Sequence, residues 1–242
     1  IDYNTKQKNY VLGQAFKPLF QFSSERVLSW ISKSFGDGEP TQLNPWLATD
    51  IPARLTQPAI DTLSVVTRAI HQRSILAIHY HSLSSGLTER EIVPFALIDN
   101  GQRWHVRAYD RHHQDFRDFV ITRIQHPQVR KDSIIQPHEL SEQDTQWTRI
   151  VELDLVPHPN RPRPEITELD YDMIDGHLRV RLRASSVGYV LRCWNVDCSA
   201  DHHLNDPAIR LWLSDPLTLY GVKNAVLAPG YLPPNSHITG RV

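Results

Sequence analysis

The spacing of hydrophobic and polar positions changes along the chain, and each change marks an element. Over "TQPAIDTLSVVTRAIHQRS" the apolar residues Ile60, Leu63, Val66 (or Thr67) and Ile70 recur at helical spacing, with Pro58 suited to the first turn. From Ser74 the period falls to two. "SILAIHYHSL", "EREIVPFALID", "RWHVRAYD" and "FRDFVITRI" read as four strands, with short turns at Ser84–Gly86, Asn100–Gly101 and His112–Asp115. A helix followed by four or five close antiparallel strands predicts a small, strongly curved β-barrel.

The flanking segments read differently. The opening "IDYNTKQKNYVLGQAFKPLF" looks like the end of a polar hairpin and an extended connector, since Gly13 and Pro18 oppose a long helix. In "SSERVLSWISKSFG" a helix is expected, capped by Ser23 or Ser24, apolar at Val27, Leu28 and Ile31, and ended by Gly36. Beyond Val129, "QPHELSEQDTQW" reads as a polar linker. "TRIVELDLVPHP", "HLRVRLRAS" and "AIRLWLSD" alternate like strands, whereas "ASSVGYVLRCWN" puts Val187, Val190, Leu191 and Trp194 on one helical face, and "LTLYGVKNAVL" reads as a short helix. The expected organisation is a mainly β and α+β chain: a connector over 1–55, a barrel domain over 56–135 and an α+β domain over 136–242.

Composition narrows the function. With 40% hydrophobic residues in 242, a sizeable core is possible, and a net charge of −1 gives no global pull toward nucleic acid or membrane. No apolar run is long enough for a membrane span and no leader pattern opens the chain. Two cysteines, Cys193 and Cys198, make no disulfide framework, so a reduced cytoplasmic setting is expected. A start at Ile1 rather than Met is read as a fragment with something missing in front.

The barrel strands carry the concentrated chemistry. Alternation puts His105, Arg107 and Tyr109 on one side of their strand, and Arg117, Phe119, Ile121 and Arg123 on a common side of the next. Arg90, Tyr80 and Ser82 add to this polar set. Arginine forks suit carboxylates or phosphates, and Tyr and His suit stacking. A solvated strand face carries such residues as well, so pattern alone leaves both readings open. "CWNVDCSADHH" holds possible zinc ligands at Cys193, Cys198, His202 and His203, in a spacing unlike a zinc finger. "RHHQD" at Arg111–Asp115 invites acid/base chemistry but has no partner nucleophile.

The ordered set "IHYHS", "EREIVPFAL" with Pro94, "RWHVRAYD" and "FRDFVITRI" resembles a WYL domain over about residues 60–130. The tripeptide that names this family stands here as Trp104-His105-Val106, an imidazole in place of the tyrosine, so ligand preference is expected to differ. The resemblance implies an Sm-like sensor barrel, placed in bacterial regulators between a winged helix-turn-helix and a C-terminal dimerisation module. The Phe16–Phe20 step is similar to that of WYL repressors of phage-defence islands. By that resemblance the sensing residues are Tyr80, Ser82, Arg90, His105, Arg107, Arg117 and Arg123, converging on an anionic nucleotide or oligonucleotide. The expected protein is then a homodimeric regulator, a repressor, that reaches DNA through the missing N-terminal domain. It has no cofactor, no metal and no catalytic role, and as a fragment it binds operator poorly. The readings from other classes are a single-stranded nucleic-acid-binding module and a nucleic-acid-processing enzyme.

Overall fold

The computed structural model describes residues 2–6, 8–11, 55–130 and 132–234. The chain divides into two units, Ile1–Ala53 and Arg54–Val242. In the first, β1 (Asp2–Asn4) pairs antiparallel with β2 (Asn9–Val11), the hairpin expected at the opening. The expected helix over residues 23–36 and the Phe16–Phe20 step lie outside the described residues.

The second unit opens with α1 (Ile60–Gln72). Val66 and Ala69 are its fully buried residues, and Leu63, Val65 and Ile70 pack beside them, whereas Ile60 is exposed. The helix ends at Arg73, a left-handed residue whose N–H bonds back to the last turn. Five strands follow: β3 (Ile75–Ser82), β4 (Gly86–Asp99), β5 (Trp104–Asp110), β6 (Asp115–Val120) and β7 (Ile124–Arg130). They pair antiparallel in the order β6-β5-β4-β3-β7.

Where a single strand was expected over "FRDFVITRI", the strand stops at Val120 and a 3-10 turn, Ile121–Arg123, leads into β7. This turn joins the two outermost strands of the sheet. Laid flat, five strands would hold those edges about 19 Å apart, while three 3-10 residues advance only about 6 Å. The sheet must therefore curl until its edges nearly meet. Register shifts at Ala77/His79 and Pro94/Ala96 supply local bends. Leu76, Ile78, Ile92, Val106, Ala108, Phe119, Ile121 and Ile124 fill the interior under α1. This is the small barrel expected from the change of period.

The segment expected as a polar linker is packed against the barrel. It holds two 3-10 turns, Pro137–Glu139 and Ser141–Gln143, and a short helix α2 (Thr145–Thr148) capped by the Asp144 side chain. Next come β8 (Ile150–Pro157), α3 (Pro164–Asp170), β9 (Leu178–Arg183), α4 (Ala184–Cys193), β10 (Val196–Asp197) and β11 (Leu211–Leu213), with sheet order β10-β11-β8-β9. Val151, Leu153 and Leu155 alternate inward from β8 onto Val187 and Leu191 of α4. Trp194, expected on that helical face, is exposed instead. "LTLYGVKNAVL" forms 3-10 turns at Pro216–Leu219 and Lys223–Leu227 rather than an α-helix. The second turn lies so close to α4 that a Cβ on Gly188 would run into the Asn224 backbone.

Candidate functional site

The seven sensing residues expected on one face do not converge. Cross-strand register sends them to separate places. Arg90 pairs opposite Ile78 on the inner side of the barrel and is buried. Its Nη1 donates to Asp110 at 3.1 Å and its Nε donates to Thr88 at 3.0 Å. Arg107 faces Asp118 across the β5–β6 pair. It donates through Nε and Nη2 to both oxygens of Asp144, at 2.7 and 3.1 Å, and through Nη1 to Asp118 at 3.0 Å. Burial works against the Arg107 charge, but the hydrogen bonds and negative charges of Asp144 and Asp118 together outweigh it and raise its pKa above the ordinary arginine value. Arg117, opposite Ala108, is exposed. Ser82 exchanges a hydrogen bond with Ser84 in the β3–β4 turn.

The physical reason is charge balance. A guanidinium in a half-buried sheet needs carboxylates: Asp110 and Asp118 supply them from within the sheet, and Asp144 from the segment outside it. Arg111 repeats the arrangement: it donates to both oxygens of Glu139, at 2.6 and 2.8 Å, and to Ser133 Oγ at 2.6 Å. Burial alone would raise the Glu139 carboxyl, yet Arg111 holds it below its ordinary value. Arg107 and Arg111 thus clamp the linker, and through it the C-terminal domain, onto the barrel. The "RHHQD" turn belongs to this clamp.

The other three residues, Tyr80, His105 and Arg123, line one cavity of about 480 Å³. The β4–β5 turn adds Arg103, and α4 adds Tyr189, Arg192 and Cys193. Among the described residues none of Arg103, Arg123 and Arg192 has a carboxylate partner for its guanidinium. Asp118 also lines the cavity, but its oxygens accept from Arg107 and from the Tyr189 hydroxyl at 3.0 Å. The Tyr80 hydroxyl oxygen accepts the Val120 N–H at 3.2 Å.

His105, which replaces the family's tyrosine, is only 4% exposed. Its ring stacks on Tyr189, with centroids 5.3 Å apart and planes at 25°. Its buried Nδ1 has no hydrogen-bond partner among the described residues. Burial pushes the imidazole below its ordinary pKa, and the opposing pull of Asp118 does not recover it. The cavity therefore offers three guanidiniums without a carboxylate partner among the described residues and an aromatic stack, which suits a phosphorylated or carboxylated planar ligand.

Sequence reasoning missed Arg103, Tyr189 and Arg192. Spacing held a signal for the last two: they lie three residues apart in α4, off the Val187/Leu191 stripe. The possible zinc set is dispersed. Cys193 lies against Gly101, Cys198 is buried with its thiol pushed up to about 12, and His203 pairs with Asp201. Trp212 donates its Nε1–H to the Ser199 carbonyl at 2.9 Å.

Two families match. Residues 61–129 match the WYL domain, and residues 150–219 match the BrxR transcriptional regulator C-terminal dimerization domain. The DNA-binding transcriptional repressor CapW of Pseudomonas aeruginosa is 30% identical over 206 residues, which cover 79% of this chain and 65% of that protein. CapW of Stenotrophomonas maltophilia is 28% identical over 238 residues, covering 88% and 76% respectively. The chain thus spans less than two thirds of the Pseudomonas protein. Proteasome accessory factor B/C of Arthrobacter aurescens overlaps 55% of this chain and 23% of its own, at 21% identity and a TM-score of 0.32, too low to carry any argument.

Proposed function

For a chain that carries a WYL domain followed by a BrxR-type C-terminal dimerization domain, we propose the role of sensing and dimerising part of a DNA-binding transcriptional repressor. The single observation that supports the sensor role is the cavity with three guanidiniums that meet no carboxylate among the described residues, beside the His105–Tyr189 stack. A phosphate entering it gains charge-assisted hydrogen bonds without displacing an existing ion pair. The ligand class is a nucleotide or a short oligonucleotide, with Arg103 and Arg123 on the phosphate. The similarity to CapW repressors supports repression, and the dimerization domain supports a homodimer whose two-fold axis matches a palindromic operator. No helix among the described residues is long and apolar enough to cross a membrane, and we place the protein in the cytoplasm.

The test is calorimetry with mononucleotides and 5′-phosphorylated oligonucleotides, together with light scattering. A saturable 1:1 stoichiometry per protomer in a dimer is expected. Absence of binding by any phosphorylated ligand at millimolar concentration would remove the sensor reading, and a monomer at tens of micromolar would remove the dimer. Tight binding of unphosphorylated single-stranded RNA would instead favour a strand-gripping module.

A further inference from the structure

The sensing barrel does not enclose its cavity alone. One wall is α4, which belongs to the stretch matched as the dimerization domain. Arg192 stands at the cavity without a carboxylate partner among the described residues, and on the same helix Tyr189 covers His105. The Tyr189 hydroxyl donates to Asp118, a barrel residue that Arg107 holds from the other side. Arg107 in turn grips Asp144, the N-cap of α2. Cavity, α4 and linker are therefore joined by one continuous set of short contacts.

We propose that the dimerization domain supplies half of the ligand site, with Arg192 as a third phosphate clamp and the Tyr189 ring as the platform for a planar base. This rests on the sensor reading and adds a consequence to it. An occupied cavity holds α4 against the barrel, so the ligand is read by the domain that sets the dimer. An empty cavity leaves three like charges around one opening, and α4 is then held by the Tyr189–Asp118 bond, the His105 stack and the contact of Cys193 with Gly101. A ligand that neutralises this repulsion favours the closed arrangement. Asp118 acts as a positioning residue, fixing the Tyr189 ring.

The experiment uses the 242-residue chain and two probes, inorganic phosphate and a 5′-phosphorylated DNA hexanucleotide. Arg192 is exposed, so Arg192→Gln should fold normally and weaken both probes about tenfold, as Arg123→Gln should. Tyr189→Leu should weaken the hexanucleotide about tenfold or more and inorganic phosphate by much less, because stacking serves the base alone. Tyr189→Phe, which keeps the ring, should retain most of the hexanucleotide affinity and so separates lost stacking from a damaged fold. Saturation with the hexanucleotide should slow amide exchange across residues 184–193. If Arg192→Gln and Tyr189→Leu bind like wild type while Arg123→Gln does not, the site is confined to the barrel and this proposal fails with the sensor reading intact. If neither probe binds wild type, both fail together.

Discussion

Two groups of arginines in one molecule do opposite work. Arg90, Arg107 and Arg111 are committed to carboxylates, those of Asp110, of Asp118 and Asp144, and of Glu139. Arg103, Arg123 and Arg192 surround a cavity and have no such partner among the described residues. The chemistry of the side chain is the same in both groups, so position decides. Arg90 and Arg107 lie buried in strands, and each is met by a carboxylate there, while Arg111, in the turn after β5, is met by Glu139 of the linker. Arg103, Arg123 and Arg192 stand at a turn, a 3-10 segment and a helix end around the cavity, where the counter-ion can be a ligand. Clamp arginines give stability and domain geometry; cavity arginines give affinity.

The strongest way to break this division is truncation at the clamp. Arg107→Ala leaves the buried Asp144 and the part-buried Asp118 without their cation. Stability should fall by about 3–5 kcal/mol, as for other buried pairs that lose one partner. Arg111→Ala should cost less, about 2 kcal/mol, since the guanidinium is partly solvated though Glu139 is buried. Chemical denaturation measures both. A loss below about 1 kcal/mol for Arg107→Ala would mean that the clamp does not hold the domains.

The opposite behaviour belongs to Arg103→Ala and Arg123→Ala. Each should change stability by no more than about 0.5 kcal/mol and weaken phosphate or nucleotide binding about tenfold. Calorimetry and melting curves on the same samples separate the two effects. Equal losses of stability for Arg123→Ala and Arg107→Ala would erase the distinction.

Much of this architecture is legible in the residues. Period-two alternation located β3 to β5 within one or two residues of their ends, apart from an earlier start to β4, and Gly101 and Gly86 marked their turns. The break at Val120 was not legible, because "FVITRI" contains no glycine or proline and is rich in strand-forming residues. The chain turns there for a global reason, to carry one sheet edge to the other. The candidate site was half legible. Tyr80, His105 and Arg123 lie in strands or at a strand end, where the family pattern points. Arg107 was misread because its partners, above all Asp144, sit in a polar segment indistinguishable from a linker. Arg192 and Tyr189 were missed because alternation within one element says nothing about which second element packs over it.

The smallest expected effect concerns His105, and it sharpens the comparison because this residue lies next to both groups. The unfolded imidazole titrates near its ordinary value of about 6.5, and burial lowers the folded value. As pH falls below about 6.5, the unfolded chain takes up a proton before the folded one does, so this residue's contribution is full above that pH and is lost on acidification. A bound anion reverses the preference, since it favours the imidazolium and draws a proton in with it. Stability of the free protein should therefore decline from pH 7 to 5 while affinity for inorganic phosphate rises, by at most about tenfold per pH unit for one proton. His105→Gln should flatten both trends, although phosphate carries a second ionisation of its own near that range, which sulfate lacks and which makes sulfate the better probe. An affinity for sulfate that stays level between pH 5 and 7 in wild type would separate His105 from the ligand and assign its burial to packing against Tyr189 alone.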